Sequence, residues 1–380
     1  METRKNIFPL ISVRRYAESC RSVIIDKNDI DSFVQTLNPD SSSIDMEWKN
    51  SICYPTPYIA CLNDVDVRPG SRILLSSEGI ALSDEIEMAF REFRIRPKLF
   101  EIEIFDGPKI GFKVPPLVSE KIAYGIHLTG EHEANYFHWV VEVLPRLFIY
   151  ENLNQEKKIP ILVSDGLNNN LYELLSAVLA PERPIIKLKQ DTCYKIETLM
   201  YPSDLSRILD VYDRAPDLNS TYLPVCILRR MAHNIKLRYL QVIPGCFRKL
   251  FIKRSSNYRK LLNELEIESI LEQNGFYSLD PGTLSISEQI NIFSQAEIIV
   301  GSSGAAMTNI IWCNEGTQVI ILHSDHPFKN YPYWDALART SGAKLSYLAG
   351  PRANNVTGFF QVHDDYSIDP YALERLLREQ

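Results

Sequence analysis

His138, Glu142 and Arg146 recur every four residues within the run Asn135 to Tyr150, NYFHWVVEVLPRLFIY. On an α-helix this spacing sets them on one face. An imidazole one turn from a carboxylate can serve as a general base near neutral pH, the Glu orienting the ring and stabilising its charged form. The same spacing also describes an ordinary surface row of ion pairs. The polar and aromatic groups crowded nearby, His127, Glu131, His132, Asn135, Tyr136 and Trp139, favour the chemical reading.

A second concentration spans Ile298 to Leu322, IIVGSSGAAMTNIIWCNEGTQVIIL. An apolar β-branched run, the turn Gly301-Ser302-Ser303-Gly304, a small-residue segment and a second apolar run read as strand, glycine turn, helix, strand. Backbone amides at such a helix start favour a phosphate, so this is either a nucleotide or sugar-nucleotide pocket or a tight turn of any α/β domain. Lys253, Arg254, Arg259 and Lys260 follow the strand KLFIK. At the carboxyl end of a strand they can meet a diphosphate, or form a solvated basic loop. His323-Ser324-Asp325-His326 closes the strand Val319 to Leu322 and reads as a hydrogen-bonding wall of the same pocket, its neighbours being too close in sequence for a convincing metal site. Asp64-Val65-Asp66 has the spacing that can hold a divalent cation but reads as a capped turn.

These groups must be carried by regular elements. Phe137, Val140, Val141, Leu144, Leu147 and Phe148 form an apolar stripe on the helix of His138, and Pro145, unable to donate to the Val141 carbonyl, predicts a kink beneath Glu142. Expected strands are Ser71 to Leu75, Leu99 to Ile104, Ile159 to Val163, Pro184 to Leu188, Tyr194 to Tyr201, Lys249 to Lys253 and Phe276 to Leu279. Expected helices are Asn170 to Leu179 and Arg229 to Leu240. Asn263 with Glu266, and Ser285 with Glu288, have the spacing of capping boxes, Leu262 and Ile267 that of a hydrophobic staple, and Gly275 that of a helix stop. Alternation of this kind predicts parallel sheets covered by helices. A chain of 380 residues exceeds one ordinary core, and the aperiodic stretch Asp210 to Tyr222 marks the boundary. The expected division is an N-terminal α/β domain over 1–222, a nucleotide-binding domain over 223–365, and a docking C-terminal helix over 366–380.

The net charge of -7 argues against a general nucleic-acid binder. Seven cysteines at 20, 53, 61, 193, 226, 246 and 313 include no CxxC pair, which fits reduced thiols better than a disulfide framework or a zinc site. METRKNIFPLISVRR lacks a sustained apolar core, and no stretch reaches the length of a membrane span, so a cytoplasmic protein is expected.

The runs FIKRSSNYRKLLNELEIESILEQNGF and SEQINIFSQAEIIVGSSGAAMTNIIWCNEGTQVIIL, with NYFHWVVEVLPRL upstream, resemble glycosyltransferase family 61 in order and spacing. The resemblance implies an α/β fold of two Rossmann-like domains facing a cleft, the GT-B architecture. It implies inverting transfer of a sugar from a nucleotide donor, a UDP-sugar favoured, without cofactor or catalytic metal, in bacterial-type surface polysaccharide (capsular or lipopolysaccharide-type) assembly. His138 would be the base, oriented by Glu142, with Glu142 itself the second choice. Lys253, Arg254, Arg259, Gly301, Ser302, Ser303, Gly304, Ala305, Thr308, Asn309 and His323 would lie at the donor. The implied partners are the nucleotide sugar and a glycan or lipid-linked glycan, with the inner face of the membrane and a second copy of the chain as candidate contacts. One departure stands out: the family often has His where this chain has Ser303. Two rival classes remain. A nicotinamide dehydrogenase fits poorly, because Gly301-Ser-Ser-Gly304 is not G-x-G-x-x-G and no acidic residue ends the strand at Leu322. A non-catalytic sugar-nucleotide-binding scaffold is kept in view by Ser303.

Overall fold

The computed structural model describes residues 7–37, 57–91, 102–106, 109–112, 118–153, 156, 158–208, 221–241, 247–255, 259–326, 331–353 and 364–378. They fall into two compact units, with described residues up to 208 in the first and from 221 in the second. The expected boundary, apart from Thr221 and Tyr222, lies outside the described residues, as do 99–101 of one expected strand and two cysteines, 53 and 246.

The first unit is built on a sheet of eleven strands among the described residues. Four adjacent strands, Ile185–Leu188, Ile161–Ser164, Val118–His127 and Cys193–Pro202, are mutually parallel. Ile59–Val67 then runs antiparallel to Cys193–Pro202, and Leu74–Ser76, Ala81–Leu82, Ile7–Ile11, Lys109–Phe112 and Ile102–Asp106 extend the sheet, mostly in antiparallel pairs. The expectation of a Rossmann-like parallel sheet is therefore corrected for this half. Short turns such as those after Val67 and Ser76 can join only antiparallel neighbours, whereas parallel strands need a long crossover. Leu62, Val65, Leu162, Ile196 and Leu199 are fully buried at its centre. The parallel block brings the ends of Val118–His127 and Cys193–Pro202 together, where the rings of His127 and Tyr201 stack with centroids 5.5 Å apart.

The run Asn135 to Tyr150 is helical but not one regular helix. Asn135 opens it, its side-chain oxygen accepting from the Phe137 amide at 2.9 Å. A short α-turn, Tyr136–His138, passes into a π-helical segment, Trp139–Val143, and then into the α-helix Leu144–Leu153. The Leu144 amide donates to the Trp139 carbonyl, five residues back. Pro145 explains the irregularity, since it can supply no amide to the Val141 carbonyl. That carbonyl instead accepts the hydroxyl of Ser206, buried after the strand Cys193–Pro202. The expected kink is thus a π-turn held from outside the helix. Ser206→Ala strands a buried acceptor, and a loss of about 1–3 kcal/mol in denaturant unfolding is expected.

Among the described residues the second unit holds a five-stranded parallel sheet in the order Tyr277–Leu279, Lys249–Ile252, Ile298–Ser302, Gln318–Ser324, Lys344–Gly350. Numbered along the chain this is 2-1-3-4-5, a doubly wound order whose switch point falls between Lys249–Ile252 and Ile298–Ser302. Helices Glu264–Gln273, Ile286–Gln295 and Pro332–Ser341 and the 3-10 segment Ala305–Trp312 form the crossovers. Ser285 and Glu288 make the full capping box, and Gly275, at φ +82°, ends its helix. Asn263 does not cap: its amide nitrogen donates to Glu266 and to the Ile368 carbonyl, and its oxygen accepts the Ile368 amide at 3.0 Å. It ties the C-terminal segment down instead, while Leu262 is left exposed. Tyr366, Ile368 and Leu373 share one core with Phe251, Val300 and Leu322, so the C-terminal helix Pro370–Arg378 completes this unit's core.

Candidate active site

Glu142 and Arg146 are each 5% exposed, which rules out a solvated surface row. Buried charges persist only where they are paired. Glu142 Oε2 lies 2.5 Å from His138 Nδ1 and 3.0 Å from Arg72 Nη2. Burial pushes the Glu142 carboxyl up, but Arg72 and then His138 outweigh it and hold the group at about 2. An ionised carboxylate can only accept, so Nδ1 of His138 carries its hydrogen and Nε2 is the basic nitrogen. The His132 ring packs 4.9 Å from that of His138.

Arg72 also pairs with Glu85. One guanidinium between a buried and a partly buried carboxylate compensates one charge fully. Burial, joined by the charge of Glu142 and only partly offset by Arg72, pushes Glu85 up to about 7. Arg146 lines the cavity with them and turns to His127 and the Pro202 carbonyl. It donates from Nη2 to His127 Nδ1 at 3.1 Å and to the His127 carbonyl at 3.0 Å, and from Nε to the Pro202 carbonyl at 2.9 Å. A guanidinium has no acceptor, so His127 Nδ1 must accept and its ring is neutral. Burial, aided by Arg146, accordingly drives the His127 pKa far down. Of these two imidazoles only His138 keeps a lone pair for substrate. Glu133 accepts from the Gly130 amide at 3.0 Å and from Ser164, with burial pushing it up to about 7.

Arg72, Asp84, Glu85, Glu133 and Asp204 line this cavity without having been singled out in the sequence. Arg72 lies inside the run read as a strand, and Asp84 and Glu85 open the helix Asp84–Arg91. No local spacing ties them to His138. Of the neighbours that were singled out, His127 and His132 join the cavity, whereas Trp139 is fully buried in the core. Asp64 and Asp66 do not line it; Asp64 stands 3.5 Å from Lys195, on the partner strand.

In the second unit the switch point gathers part of the expected donor set. Arg254 donates to the Ser303 carbonyl at 2.8 Å, and the Ser303 amide donates to the Leu322 carbonyl. A β-carbon on Gly304 would stand 1.8 Å from Arg254 Nη1, so the guanidinium end occupies the space a side chain there would take. One on Gly301 would meet Met307 Sδ at 2.5 Å and Ile252 Cβ at 2.9 Å. The hydroxyl of Tyr366 sits between Ser302 Oγ, 2.9 Å away, and the Leu322 carbonyl, 3.0 Å away. Burial raises that phenol to about 12 against the hydrogen bond with Ser302 and the charges of Arg254 and Arg259. Tyr366 was not among the residues expected at the turn.

Other members are placed differently. Lys253 is held by both oxygens of Glu268, at 2.9 and 3.0 Å, and faces that helix. Thr308 and Asn309 are fully buried, with the Asn309 amide donating to Gln289 and to the Ala306 carbonyl. Ala305 begins the expected helix, which is of the 3-10 type, with Met307 through Trp312 buried. His323 is 3% exposed and packs against Tyr331 and Tyr347, while Asp325 pairs with Arg352 at 3.1 Å. No group of three potential metal ligands occurs among the described residues. Nor is any described helix long and apolar enough to cross a membrane.

The α/β chain with this buried imidazole–carboxylate pair matches a known family: residues 136–320, just under half of the chain, match the family model Glycosyltransferase 61. The match bears out the resemblance of the sequence blocks to glycosyltransferase family 61 and points to a glycosyltransferase with donor and acceptor substrates. The match starts at Tyr136, two residues before His138, and runs through Ile320, so it takes in the dyad and the glycine turn alike. No curated protein matches the chain.

Proposed function

We propose that the protein is an inverting, metal-independent transferase of GT-B type that moves a sugar from a nucleotide sugar to a glycan hydroxyl, with His138 as general base. The observation that carries this reading is the His138–Glu142–Arg72 arrangement. With its Nδ1 hydrogen held by an ionised carboxylate, His138 Nε2 takes the acceptor's hydroxyl proton. The acceptor oxygen attacks the anomeric carbon from the face opposite the nucleotide, the bond to the diphosphate breaks, and the configuration inverts. Glu142 is the weaker alternative as base, since a carboxyl held at about 2 binds a proton poorly at neutral pH. It stabilises the imidazolium instead.

The diphosphate's charge is assigned to the switch point, to Arg254, Arg259 and the turn Gly301 to Gly304. The buried Thr308 and Asn309 then support the turn and do not touch the donor. A UDP-sugar donor, a surface-polysaccharide acceptor and a cytoplasmic site of action, at the inner face of the membrane and as a homodimer, rest on the resemblance and on composition.

A thermal-shift screen against UDP, GDP, CMP and dTDP sugars tests the donor assignment, because a ligand bound only by the folded state raises Tm. A selective shift by one sugar nucleotide is expected. Gly304→Ala, which pushes Arg254 off the Ser303 carbonyl by displacing only a flexible side-chain end, should leave unliganded Tm within a few degrees and weaken donor binding about tenfold or more. A response to NAD alone, or to none of these ligands, overturns the reading.

A further inference from the structure

A second cleft in the first unit opens beside the dyad cavity and shares Arg72, Asp84, Glu85, Glu142 and Asp204 with it. Its far wall is formed by Ser12, Arg14, Tyr58, Ser203, Ser206 and Arg207. A substrate in this cleft would therefore reach Glu142, the partner of His138, while the rest extends along the wall.

The chemistry of that wall selects a ligand. Sugar hydroxyls donate and accept at once, and carboxylates interleaved with guanidinium groups answer both roles. Asp84 is held rigid, its Oδ2 accepting from Tyr58 Oη at 2.5 Å and its Oδ1 from the Arg14 amide at 3.1 Å. Asp204 has Arg146 at 3.6 Å, beyond ordinary hydrogen-bond reach, so its oxygens retain accepting capacity for a hydroxyl or an amine. Three arginines line the cleft against five carboxylates, and Arg72 is taken by Glu85 and Glu142 while Nε of Arg14 is taken by Glu18. A second anion brought into this partly buried, acid-rich space meets repulsion that water does little to screen.

We infer that this cleft is the glycan subsite of the enzyme and takes the terminal residue of an uncharged or amine-bearing sugar, excluding glycans that end in a uronate or a sugar phosphate. The inference rests on the transferase reading for its biological sense, but its test does not depend on the donor. Wild-type protein without donor is applied to an array of neutral, amine-terminated, uronate-terminated and phosphorylated glycans, beside Asp204→Asn and Tyr58→Phe. Retention of neutral or amino glycans, weakened at least tenfold in Asp204→Asn, is expected. Tyr58→Phe frees Asp84 and should weaken retention as well, which covers the case in which the Asp204 variant does not fold. Preferential retention of uronates or phosphorylated glycans overturns the inference. So does undiminished binding by both variants in folded form, or no retained glycan from a protein whose Tm still rises with a sugar nucleotide. Retention as expected, with no sugar nucleotide raising Tm, supports the subsite and removes the transferase reading instead.

Discussion

Alanine at His138 is expected to lower kcat for sugar transfer by about 10²- to 10⁴-fold, the ordinary contribution of a positioned general base. Donor binding should be unchanged, because the proposed donor groups belong to the second unit. Stability should change little, since the 2.5 Å contact with Glu142 is lost while the carboxylate keeps Arg72 at 3.0 Å. The decisive readout is the pairing of these results. A fall in kcat with an unchanged donor-induced Tm shift identifies the base, whereas turnover within threefold of wild type removes it. Glu142→Gln should also fall, by a smaller factor, because an amide still holds the ring but cannot stabilise its charged form.

The largest stability effect is expected at Arg72. Arg72→Met leaves Glu142, its side chain 6% exposed, and Glu85 close together without their shared cation. Removing one partner of a buried pair typically costs about 3–5 kcal/mol, and a loss of roughly 3 kcal/mol at pH 7 is expected. The sign of the pH dependence follows from the depressed pKa of Glu142. In the wild type its ionisation contributes stability above the unfolded value of 4.5, and that contribution disappears as pH falls through about 2. In Arg72→Met the carboxyl no longer ionises readily in the folded state, so the two proteins should converge in stability as pH drops below about 4.5. Urea unfolding at pH 7 and at pH 3.5 measures this. A difference that stays constant across that range would mean that Arg72 contributes by packing alone.

Wild-type Glu85 and Glu133 work in the opposite direction. Their folded-state values are raised from 4.5 to about 7, so the native state holds more protons than the unfolded chain between those limits. Their contribution to stability declines as pH rises through that window and levels off above it. The site is thus not at its most stable at neutral pH, the cost of holding these carboxyls close together out of water.

The sequence by itself determined the parts of this protein that local spacing encodes. His138 and Glu142 touch because four residues of helix separate them, and a π-turn leaves that pair intact. Pro145 announced an orphaned carbonyl at Val141. Gly301 and Gly304 announced the turn at the end of the strand Ile298–Ser302, and the C-terminal helix expected within 366–380 is present as Pro370–Arg378.

Only the tertiary structure decided what those local features mean. Arg72 is 70 residues from Glu142, and their 3.0 Å contact sets the carboxylate's ionisation and with it which imidazole nitrogen is basic. Ser206 satisfies the Val141 carbonyl from 65 residues away, and Tyr366 reaches Ser302 from 64. Lys253 and Asn309 look like ligand groups in sequence but are claimed by Glu268 and Gln289 once the chain folds. Buried charges and amides must find partners, and those partners are supplied by whichever strand ends the sheet order brings together, a matter of topology that no local pattern records.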